Sequence, residues 1–304
     1  MEPSVIGWLF FIIFAFKELL FRICCIINQE TAIKLMKSNF ILLAIAFFAL
    51  MTSCKEADYQ KEVETRLEAF DTFYKDLKDN AEMSMDEKED AFEAEYEILI
   101  KDIETLGNKA LAKHSDDSIA VYFVTLYANL DITDDEGMLT LINNLGPNAQ
   151  ADPSVQKMKA HFDSKKQTAE GTKFIDFEVP QPDGSVKKLS DYAGNGKYCL
   201  VDFWASWCGP CKGEIPNLKN IYEKYGKKGL EMVSVAVWDK PDASRDTAAA
   251  YGITWNHILD AGSEPTNIYA IRGIPHIMLI GPDGTILKRD LRGEKIAEEL
   301  EKYF

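Results

Sequence analysis

Two different rhythms of apolar residues divide this chain. From about residue 57 to 168 they recur every three or four positions. Val63, Leu67, Phe70, Tyr74 and Leu77 form one such stripe, and Phe92, Tyr96, Leu99, Ile103 and Leu106 form another. A 3.6-residue period places each stripe along one face of an otherwise charged helix. Residues 80–86 between them suit a connection, so the two helices are expected to pair antiparallel. Residues 118–130 are apolar on more than one face and predict a third, more buried helix. Residues 136–145 predict a fourth, closed by Gly146-Pro147. Residues 153–166 predict a fifth, opened by Asp152-Pro153, since proline is well placed in a first helical turn.

Beyond residue 170 the rhythm shifts. Residues 174–179 alternate and predict a strand, Pro182-Asp183-Gly184 is a turn signal, and residues 186–189 return as a short strand. Residues 197–204 are apolar apart from Lys197 and Asp202, as expected of a central strand covered on both faces. Residues 212–225 predict a helix that Pro216 should kink, closed by Gly226 and Gly229. Strands are expected at 231–238, 256–259, 276–280 and 285–289, and helices at 242–251, 265–271 and 294–303. Strands alternating with helices and ending in a hairpin give an α/β domain with a mixed sheet. It is preceded by an all-α domain.

The N-terminus holds apolar runs at 5–16, 19–27 and 40–51. Met36-Lys37-Ser38-Asn39, the last of these runs and Thr52-Ser53-Cys54 follow the order of a secretory signal: a basic start, an apolar stretch and a small-residue end. Met51-Thr52-Ser53-Cys54 resembles the lipobox of a bacterial lipoprotein, with Met in place of the usual Leu. Cys54 is then the lipidated first residue of the mature chain. Residues 1–35 are expected to be a start-site artefact or, alternatively, a membrane segment, although Lys17, Glu18 and Arg22 interrupt it at considerable cost. The expected organisation is 36–53 signal peptide, 54–168 helical domain and 170–304 α/β domain.

Charge sharpens this division. Residues 55–170 carry 27 acidic and 13 basic side chains, against 19 and 17 in 171–304, for a net charge of −15 over the whole chain. That balance argues against nucleic acid as a partner. The acidic helical part reads as a solvated surface, and no catalytic constellation is found in it. His114 and His161 are isolated residues there.

The chemistry is concentrated at the end of the central strand. Cys208 and Cys211 lie two residues apart, where Leu200 to Trp204 hands over to a helix. Unpaired N–H groups and a partial positive charge at a helix start favour thiolate over thiol, and the thiolate is the nucleophile. Two thiols at this spacing can also close a disulfide, so thiol–disulfide exchange is indicated. A zinc site would need a second ligand pair. Cys24, Cys25, Cys54 and Cys199 supply no other pair at that spacing. Cys199 is expected to be an inert core thiol, and no metal or other cofactor is called for besides the redox-active Cys208/Cys211 pair.

The run Leu200-Val201-Asp202-Phe203-Trp204-Ala205-Ser206-Trp207-Cys208-Gly209-Pro210-Cys211 resembles the active-site strand of thioredoxin. Tyr269-Ala270-Ile271-Arg272-Gly273-Ile274-Pro275 resembles its cis-proline segment. The early hairpin, the insertion at 240–264 and Lys212-Gly213-Glu214-Ile215-Pro216 resemble the TlpA/ResA-like branch, membrane-tethered oxidoreductases of the bacterial envelope. The resemblance spans residues 170–304. It implies a thioredoxin fold in which Cys208, the more exposed cysteine, attacks a substrate disulfide and Cys211 resolves the mixed disulfide. Asp202 is the implied buried acid that accepts the Cys211 proton, with Glu214 a second candidate. Pro275 is implied to be cis, and Trp207, Gly209, Pro210 and Ile274 to shape the substrate site. His276, next to Pro275, is given no catalytic part.

Gly209-Pro210 resembles the reducing members of the superfamily. The implied activity is reduction of protein disulfides at a lipid-anchored, periplasm-facing location, with a membrane electron donor. Apocytochrome c is one substrate the resemblance admits. Competing readings are a disulfide isomerase or oxidase, a peroxiredoxin, and a binding module working through the acidic helices. The peroxiredoxin reading lacks the threonine expected three residues before its cysteine, where Ala205 stands.

Overall fold

In the computed structural model, which describes residues 57–304, the first stripe folds as α1 (Ala57–Asp79) and the second as α2 (Met85–Leu111). Ser84 caps α2 in a reciprocal arrangement. Its hydroxyl accepts from the Glu87 N–H, and the Glu87 carboxylate accepts from the Ser84 N–H, satisfying donors that a helix start otherwise leaves open. Next come α3 (Ser118–Leu130), α4 (Asp135–Asn143), a single turn α5 (Pro147–Gln150) and α6 (Pro153–Gln167). Much of the expected apolar faces is buried: Val63, Ile103, Phe123, Val124 and Ile142 are fully enclosed, whereas Tyr96 of the second stripe is 36% exposed. The chain divides after Lys159 into two compact units. Cys54, Cys24, Cys25 and the signal-like segment lie outside the described residues. No helix among the described residues is long and apolar enough to cross a membrane.

The second unit is built on a five-stranded sheet. Its strands are β3 (Cys199–Trp204), β4 (Glu231–Ala236), β5 (Asn256–Ile258), β6 (His276–Ile280) and β7 (Ile286–Leu291), in the order β5-β4-β3-β6-β7. β3 pairs parallel with β4 and antiparallel with β6, so the sheet is mixed. A separate antiparallel hairpin joins β1 (Glu178–Pro180) and β2 (Val186–Lys188). Its neighbour Gln181 ties it to the rest, accepting the Leu259 N–H and donating to the Leu259 carbonyl. The helices are α7 (Gly209–Tyr225), α8 (Pro241–Ala250), α9 (Glu264–Ile268) and α10 (Glu294–Leu300). This is the thioredoxin fold.

All six residues of β3 are buried, which is why the sequence shows no alternation there.

Two expectations are corrected. Residues 174–177 do not extend the first strand: the Asp176 carboxylate accepts the Phe177 and Ser190 N–H groups, and that local bonding displaces a ladder. The helix after the cysteines starts at Gly209 rather than Lys212, with Cys208 as its N-cap, and runs on through Pro216 to Tyr225.

Candidate active site

β3 and α7 meet at the two cysteines, which form a disulfide with Cα atoms 5.3 Å apart. The Cys211 N–H donates to the Cys208 sulfur at 3.1 Å. No acidic residue occupies the first turn of α7, so the positive end of the helix acts undiminished on that sulfur. The segment expected to face the pair does so: the Ile274–Pro275 bond is cis, and the Cys208 sulfur lies 3.6 Å from the Ile274 carbonyl oxygen. Cys208 is not the more exposed cysteine. It is 1% exposed and Cys211 3%, because the fully enclosed Ile274 lies against the sulfur.

Asp202 lies on β3, the strand that leads to the pair, and is 4% exposed. Burial pushes its carboxyl up to about 7; a Ser234 hydrogen bond opposes the rise and the Glu214 charge adds to it. The Ser234 hydroxyl donates to Asp202 Oδ2 at 3.0 Å, and the Trp255 indole N–H donates to that hydroxyl at 2.8 Å. Ser234 reaches Asp202 because β3 and β4 are in register there.

Glu214, on α7, is half-buried and holds a loop. Its carboxylate accepts the Gly293 N–H at 3.2 and 3.3 Å and the Asn217 amide at 2.6 Å, while Asn217 also donates to the Gly293 carbonyl at 2.9 Å. Gly293 sits at φ 55°, ψ −134°, a backbone conformation open to glycine.

Trp207 is 55% exposed, and its indole N–H donates to the Trp238 carbonyl at 2.9 Å. Trp238 is itself 36% exposed with φ 54°. Asp239 follows it and accepts from the Ser206 N–H at 2.5 Å and the Ser206 hydroxyl at 2.9 Å. The β4–α8 loop therefore braces the residues just before Cys208. Gly209 is exposed and Pro210 half-buried at the mouth.

His276 pairs with Phe203, whereas Asp202 pairs with Ile277. Since successive strand residues face opposite ways, His276 lies on the face opposite Asp202. Burial and the Arg289 and Arg292 charges push its imidazole down to about 4, against the pull of Asp290. Cys199 is fully buried, and burial pushes its thiol well up, as an inert core thiol requires.

Trp238, Asp239, Ser234, Trp255 and Gly293 were not singled out in the sequence. Asp239 alone left a signal there, as an acid in a loop at the end of a buried strand.

The AhpC/TSA family profile matches residues 171–289. The thiol-disulfide oxidoreductase ResA of Bacillus subtilis is 31% identical over 129 residues, covering 42% of this chain and 71% of that protein. The chain belongs to the AhpC/TSA family, among the ResA-like thiol-disulfide oxidoreductases. ResA of Bacillus cereus is 28% identical over 145 residues, 48% of this chain and 82% of its own length. Among solved structures, the thioredoxin domain of a thiol-disulfide oxidoreductase from Bacteroides vulgatus is 29% identical, covering 44% of this chain and 97% of that domain, with a TM-score of 0.41. The AhpC/TSA match lies within the unit that holds the Cys208–Cys211 pair.

Proposed function

We propose that this ResA-like oxidoreductase reduces protein disulfides outside the cytoplasm, using Cys208 as nucleophile and Cys211 as resolving thiol. The observation that carries the reading is the disulfide at the start of α7, with the Cys211 N–H on the Cys208 sulfur and a buried acid, Asp202, on the strand that leads to it. In the reduced enzyme the Cys208 thiolate attacks a substrate disulfide. One substrate sulfur leaves as a thiolate, and a mixed disulfide forms. The Cys211 proton passes to Asp202, and the Cys211 thiolate attacks the Cys208 sulfur. The substrate departs with both cysteines reduced, and the enzyme holds the Cys208–Cys211 disulfide. Two electrons must then return from a dithiol donor. Trp207, Gly209, Pro210 and Ile274 frame the approach, with Pro275 beside the sulfurs.

The lipobox-like segment ending at Cys54 supports a lipid anchor, which would put the site in the periplasm-facing envelope near a membrane electron donor. Apocytochrome c is one substrate of fitting chemistry. Ala205 and the nearby resolving cysteine weigh against a peroxiredoxin.

Insulin-disulfide reduction by the pre-reduced enzyme, followed in a single turnover, tests the activity. Cys208→Ser is expected to abolish it, and retained turnover would remove the assigned nucleophile. A reduction potential as high as those of strong dithiol oxidants, about −120 mV, would reverse the direction. Mass spectrometry of the mature chain should find a lipidated Cys54 as its first residue; any other start would end the anchor reading.

A further inference from the structure

Among the described residues, the Asp202 carboxyl has one hydrogen-bonding neighbour, Ser234, and that neighbour is itself held. The Trp255 indole can only donate, and it donates to the Ser234 oxygen at 2.8 Å. The single Ser234 hydrogen is therefore left to point at Asp202 Oδ2, 3.0 Å away. Ser234 is fully buried and Trp255 4% exposed, so water has little access with which to replace either bond. The three side chains come from β3, β4 and the residue just before β5: the sheet register pairs Asp202 with Ser234, and the approach to β5 brings Trp255 to the serine.

A free serine hydroxyl could donate to a carboxylate or accept from a carboxylic acid, suiting both protonation states equally. This one is restricted to donating. It favours the charged form of Asp202 and occupies Oδ2, which leaves Oδ1 to take the proton.

We propose that Ser234 and Trp255 are positioning residues for the redox reaction: the indole fixes the hydroxyl, and the hydroxyl keeps buried Asp202 able to release and accept a proton while Cys211 reacts. In the resolving step the proton leaves the Cys211 sulfur for Asp202 Oδ1. It is later given up to the departing substrate thiolate, so nothing is gained or lost overall. The proposal rests on the reading of Asp202 as proton acceptor for Cys211. Burial raises the Asp202 carboxyl and Ser234 is what restrains that rise.

The test follows the Asp202 side-chain carboxyl by carbon-13 NMR between pH 4 and 10, together with the pH profile of insulin reduction. Ser234→Ala is expected to move the Asp202 titration upward by about one pH unit, and to move the acidic limb of the rate profile with it. Trp255→Phe, which keeps a ring but loses the N–H, is expected to shift both in the same direction by less. Ser234→Thr, which keeps the hydroxyl, should restore the wild-type titration. Should Ser234→Ala fail to fold, Trp255→Phe carries the test alone. An unchanged Asp202 titration in the variants that fold overturns the proposal. Asp202→Asn separates the two claims: an acidic limb that survives in it refutes Asp202 as the base, whatever the NMR shows for the relay.

Discussion

Asp202→Asn should make the protein more stable as the pH rises, even as it impairs turnover. The ordinary aspartate carboxyl titrates at 3.8, whereas burial raises that of Asp202 to about 7. Below pH 4 the side chain is neutral in both the folded and unfolded chain, and costs nothing extra. Between pH 4 and 7 the folded protein keeps a proton that the unfolded chain releases. Stability therefore falls as pH rises, by up to about 1.4 kcal/mol per pH unit. Above pH 7 the folded protein carries a buried anion, and the accumulated cost is on the order of 4 kcal/mol. Asparagine has nearly the same shape and no charge, so the variant escapes this term. Carboxylates that do not interact with Asp202 contribute equally to both proteins and cancel in the difference; Glu214, whose charge does act on it, is the exception. The assay is urea unfolding of oxidised wild type and Asp202→Asn at pH 4, 6 and 8, followed by tryptophan fluorescence. Four of the five tryptophans, Trp204, Trp207, Trp238 and Trp255, lie in the second unit, so the signal is dominated by the unit that contains the site. The stability difference should swing toward the variant by several kcal/mol from pH 4 to pH 8. A difference that does not change with pH would show that Asp202 titrates like an ordinary carboxylate, and would remove the basis for treating it as a base poised near neutrality.

Glu214→Gln removes a charge that adds to the Asp202 rise while keeping an oxygen for the Gly293 N–H, so the acidic limb of the rate profile should move to lower pH; loss of the limb altogether would instead make Glu214 the base. Asp239→Ala removes both bonds to Ser206 and should cost about 1–3 kcal/mol in urea unfolding of the second unit. Phe123→Ala empties a fully enclosed position ringed by Tyr59, Tyr122 and Tyr127 and should destabilise the helical unit by about 3–5 kcal/mol, read by circular dichroism. Cys211→Ser should accumulate mixed disulfides on Cys208, identifiable by mass spectrometry of trapped complexes.

What could be read from the sequence was the chemistry carried by neighbouring residues. The dithiol, the buried acid six positions before Cys208 and the proline ahead of β6 each lie within short motifs whose order is itself informative. The helix stripes were equally legible, because burial imposes the 3.6-residue period. What stayed hidden depends on which strand or loop ends beside which. Trp255 finds Ser234 across 21 residues, Ser206 finds Asp239 across 33 and Glu214 finds Gly293 across 79. None of these pairs has a local pattern, since register and loop path bring them together. Residues 174–177 show the opposite failure: their alternation is that of a strand, yet one aspartate side chain captures the amides that a ladder would use.

The enclosure of Cys208 bears on which reductants can recharge the enzyme. A cysteine 1% exposed gives a small thiol little room for the in-line approach that disulfide cleavage demands. A folded dithiol protein that engages the Trp207–Trp238 rim can spend contact energy to open that approach. The oxidised enzyme would then be kinetically insulated from the surrounding pool of small thiols and disulfides, with its redox state set by whichever protein docks. The expected signature is slow reduction by glutathione beside fast reduction by a protein dithiol of the same potential; equal rates would mean the burial does not gate access.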